Sequence, residues 1–111
     1  MKTPVIFFHA NCNDGSAAAT VFYSKFGDEA TYIPVVHGEK CDLEICKGRT
    51  VYFVDFVFPN ETMKEIKKVC AKLVVLDHHK TAYKHLEGIE YEGVLDMERS
   101  GAMLAFNYLY P

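Results

Sequence analysis

The sequence has no linker or low-complexity run that would divide its 111 residues into separate domains, since no segment is rich in proline, serine or glycine. It also has no apolar run long enough to span a membrane. Met1-Lys2 leads straight into a strand-like segment, without the cleavage pattern of a signal peptide. We therefore expect one domain over residues 1–111, located in the cytoplasm and without membrane association.

An excess of positive charge is also missing. The formal net charge is −3 at pH 7 and the isoelectric point is about 5.9. Domains that grip long nucleic acids through their phosphates are usually basic. A small or locally held substrate therefore fits this chain better than a long nucleic acid. Acidic side chains gathered at one place would instead favour a bound cation.

Cysteine is sparse and has no paired CxxC spacing. The four cysteines are Cys12, Cys41, Cys46 and Cys70. Free thiols in a reducing compartment are the expectation for a chain with no export signal. Cys41 and Cys46 leave open half of a zinc site, although two isolated thiols favour a structural role.

What is present is an alternation of strand-like and helix-like segments. Short apolar or β-branched runs predict strands over residues 4–9, 31–36, 50–55, 73–77 and 89–95. Periodic and capped segments predict helices over residues 14–27, 61–71, 81–86 and 101–110, with a short helical turn at 42–46. The alternation predicts an α/β fold, a three-layer sandwich around a mostly parallel sheet of about five strands.

Local signals suggest where two of the helices begin. Asn60 is predicted as the N-cap of the helix over 61–71, and Ser100 as the N-cap of the last helix. The last helix is apolar on most sides, which is typical of a buried helix. We expect it to cover the sheet; pairing with a second copy or with a partner subunit is the alternative.

Four predicted strands end in side chains that can bind metals. Since ligands of open parallel sheets bind beyond the carboxyl ends of the strands, these groups should meet along one edge. The candidates are His9, Cys12, Asp14, Asp55, Asp77, His78, His79 and Asp96. Hydrolysis of a phosphate ester places a nucleophile against an anion, and metal ions neutralise that charge and activate water.

Several of these residues, taken alone, also have an ordinary structural interpretation. His9 could be a simple hydrogen-bonded histidine, and Asp55 or Asp96 could cap a turn. Asp14 could serve the helix dipole, and Cys12 could be a small buried residue. The Asp77-His78-His79 triplet is harder to explain in this way, because it follows a wholly apolar strand. Together the residues predict a metal site.

Four motifs resemble those of the DHH phosphoesterase superfamily, named for its Asp-His-His triplet. The motifs are His9-Ala-Asn-Cys-Asn-Asp14-Gly15, Val54-Asp55-Phe56 followed by Phe58-Pro59, Leu76-Asp77-His78-His79-Lys80-Thr81-Ala82, and Asp96 with Ser100-Gly101-Ala102. The superfamily includes single-strand exonucleases, oligoribonucleases, cyclic-dinucleotide phosphodiesterases and manganese inorganic pyrophosphatases. The resemblance covers nearly the whole chain, and the third motif is its most specific part.

The resemblance implies a role for each matching residue. It assigns one metal to His9 and Asp55, and a second, bridged by Asp55, to Asp14, Asp55, His78 and Asp96. A water or hydroxide between the metals would be the nucleophile. His79 would contact the phosphate or assist the leaving group, and Asp77 would orient the site. Lys80 and Ser100 are further candidates for contacts with the substrate.

The chain departs from the superfamily pattern at two points. Cys12 stands where many members have an acidic residue, as in a cysteine-bearing branch that resembles oligoribonucleases and nucleotide phosphodiesterases; it is an additional candidate ligand. We expect residues 1–111 to form only the DHH-type domain, without the C-terminal substrate-binding domain that usually follows it: as a fragment, as a minimal form, or as a chain whose site a partner completes.

The resemblance predicts a metal-dependent hydrolase, with one or two divalent ions and manganese preferred. Its substrate would be a small nucleotide or short oligonucleotide, cleaved at a phosphodiester or phosphoanhydride. The alternative is a non-catalytic metal- or nucleotide-binding domain, or a subunit that needs a partner to complete its site.

Overall fold

A computed structural model of the protein describes residues 3–111. The prediction that no signal peptide begins at Met1 and Lys2 falls outside the described residues. Five strands form one parallel sheet in the order β2-β1-β3-β4-β5. The strands are β1 (Val5–His9), β2 (Thr31–Val35), β3 (Thr50–Val54), β4 (Lys72–Asp77) and β5 (Glu92–Leu95). The predicted parallel sheet is therefore confirmed.

Helices cover both faces of this sheet. They are α1 (Asn13–Phe26), α2 (Asn60–Val69), α3 (Thr81–His85) and α4 (Gly101–Leu109), with 3-10 turns at Gly27–Glu29 and Leu43–Cys46. Helices α1 and α4 pack against each other and against one face. Helices α2 and α3 pack on the other face with the second 3-10 turn. The α/β three-layer architecture is confirmed, and the last helix covers the sheet as expected.

Alternate residues of each strand build two cores, one on each side of the sheet. On the side of α1 and α4, Phe22 and Leu104 pack on Ile6, Val54 and Leu76. The other core is larger and rich in aromatic rings. It contains Phe7, Phe53 and Phe58, together with Met63 and Ile66 of helix α2. Because both faces are covered, the central strands are apolar throughout, and polar groups collect at the strand ends.

Most boundaries lie within one or two residues of the predicted ones, and two differences have a clear physical cause. Asn60 is the first residue of α2 and not its N-cap, which is Pro59. The Asn60 amide instead donates hydrogen bonds across to the carbonyl oxygens of His85 and Glu87, at 2.9 and 3.0 Å. Strand β5 begins at Glu92, because Ile89 is held in the turn after α3, where its N–H donates to the carbonyl oxygen of Leu86.

Across residues 3–111, no helix is both long enough and apolar enough to cross a membrane.

The tight turn between β1 and α1 depends on Gly15. A Cβ atom at this buried position would overlap the carbonyl oxygen of His9, the last residue of β1. Helix α1 can therefore approach the end of β1 only because residue 15 has no side chain. This close approach brings Asp14 to the same edge of the sheet as His9.

Gly15→Ala should destabilise the protein by about 1–3 kcal/mol, the usual cost of overpacking a filled site. The direction of the change in unfolding free energy is informative, because glycine-to-alanine at an exposed helical position normally stabilises a protein by about 0.5–1 kcal/mol. Urea unfolding followed by circular dichroism measures the difference. Ser16→Ala, at the exposed neighbouring position, is the control and should stay within about 0.5 kcal/mol of wild type. A Gly15→Ala protein as stable as wild type would contradict this account of the turn.

Candidate metal centre

Asp55 lies directly after β3, the middle strand of the sheet, and only 1% of its surface is exposed. Its φ of 60° is in the left-handed region, which is uncommon for residues other than glycine. Backbone strain of this kind persists only where the surroundings enforce it, and it clusters at functional sites. The turn puts the Asp55 carboxylate within reach of groups that follow β1 and β4.

His78 lies between two carboxylates. Its Nε2 atom is 2.6 Å from Oδ1 of Asp55 and 3.0 Å from Oδ2 of Asp14. One ring nitrogen carries at most one hydrogen, so it cannot donate fully to both carboxylates. Two carboxylates converging on one imidazole nitrogen form a donor set that suits a shared cation.

The triplet after β4 is organised by the buried carboxylate of Asp77. Its Oδ1 accepts hydrogen bonds from the backbone N–H groups of His78 and His79, at 2.7 and 3.2 Å. The same oxygen accepts a third from Nδ1–H of His79, at 2.7 Å. This contact fixes the tautomer of His79 and leaves Nε2 free. The predicted orienting role of Asp77 agrees with this arrangement.

His9 and Cys12 approach the other oxygen of Asp55. The Cys12 thiol donates to Oδ2 of Asp55 at 3.4 Å, and Nδ1 of His9 lies 3.8 Å from that oxygen. Potential ligand atoms of His9, Cys12 and Asp55 lie within 4.8 Å of one another. A second set with the same spacing consists of Asp55, Asp77, His78 and His79. The two sets share Asp55, and each could hold a metal ion.

The two carboxylates beside His78 differ electrostatically. Burial raises the pKa of Asp55 above its ordinary value, and hydrogen bonds from His78 and Cys12 only partly offset this. Burial also acts to raise the pKa of Asp14, but backbone hydrogen bonds from Gly101 and Ala102 outweigh it, so the pKa is lowered. A cation beside Asp55 would stabilise the ionised form that burial disfavours.

The first turn of α4 holds Asp14 in place. The backbone N–H of Gly101 donates to Oδ2 of Asp14 at 2.8 Å, and that of Ala102 donates to Oδ1 at 3.2 Å. A Cβ atom at residue 101 would lie 3.1 Å from Cβ of Asp55 and 3.2 Å from Oδ2 of Asp14. Gly101 thus lets the helix start sit directly against both carboxylates.

Four predicted site residues stand apart from these two sets. Asp14 still contacts His78, whereas Asp96, Ser100 and Lys80 do not join the ligands. Oδ1 of Asp96 accepts from the N–H of Glu98, and its other oxygen faces Arg99 at 3.4 Å, so its carboxylate organises its own turn. The Ser100 hydroxyl accepts from the N–H of Met103 and caps α4, as the sequence predicted for the helix start. Lys80 is exposed at the start of α3.

Two histidines that the sequence reasoning did not select also lie here. His37 follows β2, and its ring centre is 5.5 Å from that of His9 and 5.0 Å from that of Phe56. His85 ends α3 and shares a small chamber with Asp77 and His79. His37 follows a strand, as the predicted site residues do, so its position in the sequence could have indicated that it lies at this edge of the sheet. His85 had none, because its proximity depends on how α3 folds back.

Replacing Asp55 by asparagine should stabilise the protein in excess chelator at neutral pH. Asparagine tolerates the left-handed backbone and removes a buried charge. A group whose pKa is raised on folding loses its stabilising contribution as pH rises through that pKa. The advantage of Asp55→Asn should therefore shrink as the pH falls toward 3.8, the ordinary value.

Thermal unfolding with chelator, across this pH range, measures the difference. Glu98→Gln, which neutralises an exposed acid, should not reproduce it. Adding a divalent metal should raise the melting temperature of wild type, because an ion that binds only the folded protein stabilises it. The melting temperature of Asp55→Asn should not rise, because this variant lacks the carboxylate shared by both ligand sets. An Asp55→Asn protein that melts below wild type in chelator at neutral pH would contradict the account of Asp55.

No protein-family model matches the chain. Over 125 residues it is 29% identical to an uncharacterized protein of Acanthamoeba polyphaga mimivirus, an alignment that covers 99% of this chain. The chain spans 30% of the length of that relative. This likeness carries no functional description, so the chemistry of the site has to be inferred from its own residues.

Proposed function

We propose that the chain is a metal-dependent phosphoesterase of the DHH type, acting on a nucleotide phosphodiester or phosphoanhydride. The observation that carries this proposal is the pair of ligand sets that share Asp55 at the carboxyl edge of the sheet. Two neighbouring metals bridged by one carboxylate are a recurrent arrangement in enzymes that cleave phosphate esters. Three of the four sequence motifs contain the residues of these two sets.

His9, Cys12 and Asp55 would hold one ion. Asp55 and His78 would hold the other, joined by Asp14, which lies outside the two ligand sets but has its Oδ2 3.0 Å from Nε2 of His78. Ions bound there would neutralise the phosphate charge and lower the pKa of a bound water. Mixed imidazole and carboxylate donors suit manganese, which we propose as the preferred metal, while the Cys12 thiol adds a softer donor. The strained turn at Asp55 supports a role as bridge, because it points one carboxylate toward both sets.

His79 is the group we assign to the substrate. Its Nδ1 is fixed by Asp77 at 2.7 Å, and its side chain is 47% exposed, so Nε2 is accessible to a phosphate oxygen or a leaving group. Asp77 is 1% exposed and acts by holding His79. Lys80, the next residue, is exposed and would add positive charge near an incoming phosphate.

The chain spans 30% of the mimivirus relative, so its substrate, its partners and any second subunit are matters of proposal. We propose a small nucleotide or short oligonucleotide as substrate, in keeping with the net charge of −3. All four cysteines are free, which is consistent with the reducing conditions of the cytoplasm.

A non-catalytic metal- or nucleotide-binding module is the second candidate. The observation that favours it is Asp96, whose carboxylate caps its own turn instead of joining the ligands. A site with one fewer acidic ligand would bind its metal more weakly, or would need a partner subunit to complete it. Tight nucleotide binding without turnover under any divalent metal would select this reading.

With manganese, the protein should hydrolyse an aryl phosphodiester or a dinucleotide, and Asp55→Asn and His78→Ala should abolish this hydrolysis. Both changes remove donors from the shared site, so the loss should exceed about 10³-fold. Release of nitrophenol or mononucleotide is the readout, and Glu98→Gln is the matched surface control. Activity that survives both substitutions would rule out the proposed mechanism.

His79→Ala should separate catalysis from metal binding. If His79 assists proton transfer, kcat should fall by about 10²–10⁴-fold, with the metal affinity within a few fold of wild type. Calorimetric titration with manganese measures the affinity, and steady-state kinetics measure kcat. A variant that loses metal binding in parallel with activity would make His79 a ligand instead.

A further inference from the structure

Beside the metal centre lies a small, largely enclosed chamber of about 70 Å³. Two of its walls are the carboxylate residues Asp55 and Asp77. The polar groups that complete it are His37, His79, Thr81 and His85. Three of these, His37, Thr81 and His85, have no role in the function proposed above.

One of the residues that line the chamber, His85, has an unpaired polar side-chain atom. Among the described residues 3–111, its Nδ1 is the one buried side-chain nitrogen or oxygen without a hydrogen-bond partner. The residue is anchored, because its carbonyl oxygen accepts from the amide of Asn60 at 2.9 Å. Leaving such an atom unpaired is costly, and native proteins normally satisfy it with water, an ion or a ligand.

The size of the chamber limits what can fill it. One water needs about 10–15 Å³ of such space, so about 70 Å³ admits several waters or a compact group of a few atoms. Sites for nucleoside-sized ligands are about 300–1,000 Å³. The base and sugar of a nucleotide therefore remain outside, and a phosphoryl group is the part of such a substrate that fits.

The chemistry of the walls agrees with a phosphoryl group. Histidine nitrogens and the Thr81 hydroxyl can donate to its oxygens. Asp55 and Asp77 would repel an anion, but cations at the neighbouring ligand sets reverse the local charge. Anion binding in the chamber should therefore require a metal ion.

We propose that this chamber is the phosphoryl subsite, and that Nδ1–H of His85 donates a hydrogen bond to a phosphoryl oxygen. This inference rests on the proposed function, because that function brings a phosphate to the metal centre. It makes His85 a substrate-binding residue and predicts that inorganic phosphate, the smallest ligand with this chemistry, binds the metal-loaded protein.

Titration of inorganic phosphate into the magnesium-loaded protein, followed by calorimetry, tests the proposal. Magnesium replaces manganese here because carboxylate ligands suit both ions and magnesium, being diamagnetic, also permits the resonance measurement below. Wild type should bind phosphate, and chelator should abolish binding. His85→Phe should weaken it about tenfold or more, since a hydrogen bond to a charged group is lost. His85→Asn, whose amide can place a donor near the position of Nδ1, should stay within about threefold of wild type. Lys84→Ala, exposed on the same helix, is the control and should bind as wild type does.

A second measurement uses the unaltered protein, in case His85→Phe does not fold. Phosphate should shift the side-chain ¹⁵N resonance of His85 Nδ1 in the magnesium-loaded protein and leave it unchanged in chelator. An unshifted His85 resonance, or equal weakening by His85→Phe and His85→Asn, would overturn the subsite. Phosphate binding without any hydrolysis of esters would refute the proposed function alone. Ester hydrolysis with His85 unaffected by phosphate would refute the subsite alone.

Discussion

Keeping a carboxylate ionised inside a protein requires partners, and the edge of this sheet is built around that requirement at Asp55. The residue is 1% exposed, sits in a left-handed turn and has a raised pKa caused first by burial. His78 and Cys12 contact it from two sides. A cation would offset both the desolvation of Asp55 and the repulsion between neighbouring carboxylates, so this edge of the sheet could hold a metal ion.

The architecture and most of the candidate metal ligands could be predicted from the sequence. Apolar runs fix the strands, and in a parallel sheet their carboxyl ends meet at one edge by geometry alone. His9, Asp55, Asp77 and His78 come together for that reason. Their convergence needs no information beyond the order of polar and apolar residues. Metal identity, substrate and turnover are chemical properties that this order does not encode.

The parts that escaped prediction depend on contacts between elements distant in sequence. Asn60 has the composition of an N-cap, but its amide is satisfied by carbonyls after α3, 25 and 27 residues away. The approach of His85 to the site follows from that same packing of α2 against α3. Asp96 directly follows its strand as expected, yet a local turn with Glu98 and Arg99 uses its carboxylate. Local competition for hydrogen bonds is not visible in a motif.

The contact between Asp14 and the start of α4 has a consequence for how the protein is made. Asp14 leaves the ribosome 87 residues before Gly101, whose N–H it accepts. Through most of synthesis the acidic edge therefore lacks the amides that lower the pKa of Asp14. The hydrogen bonds that hold Asp14 can form only after residue 102 has emerged, so the position of this carboxylate is set late, by residues 87 and 88 positions downstream.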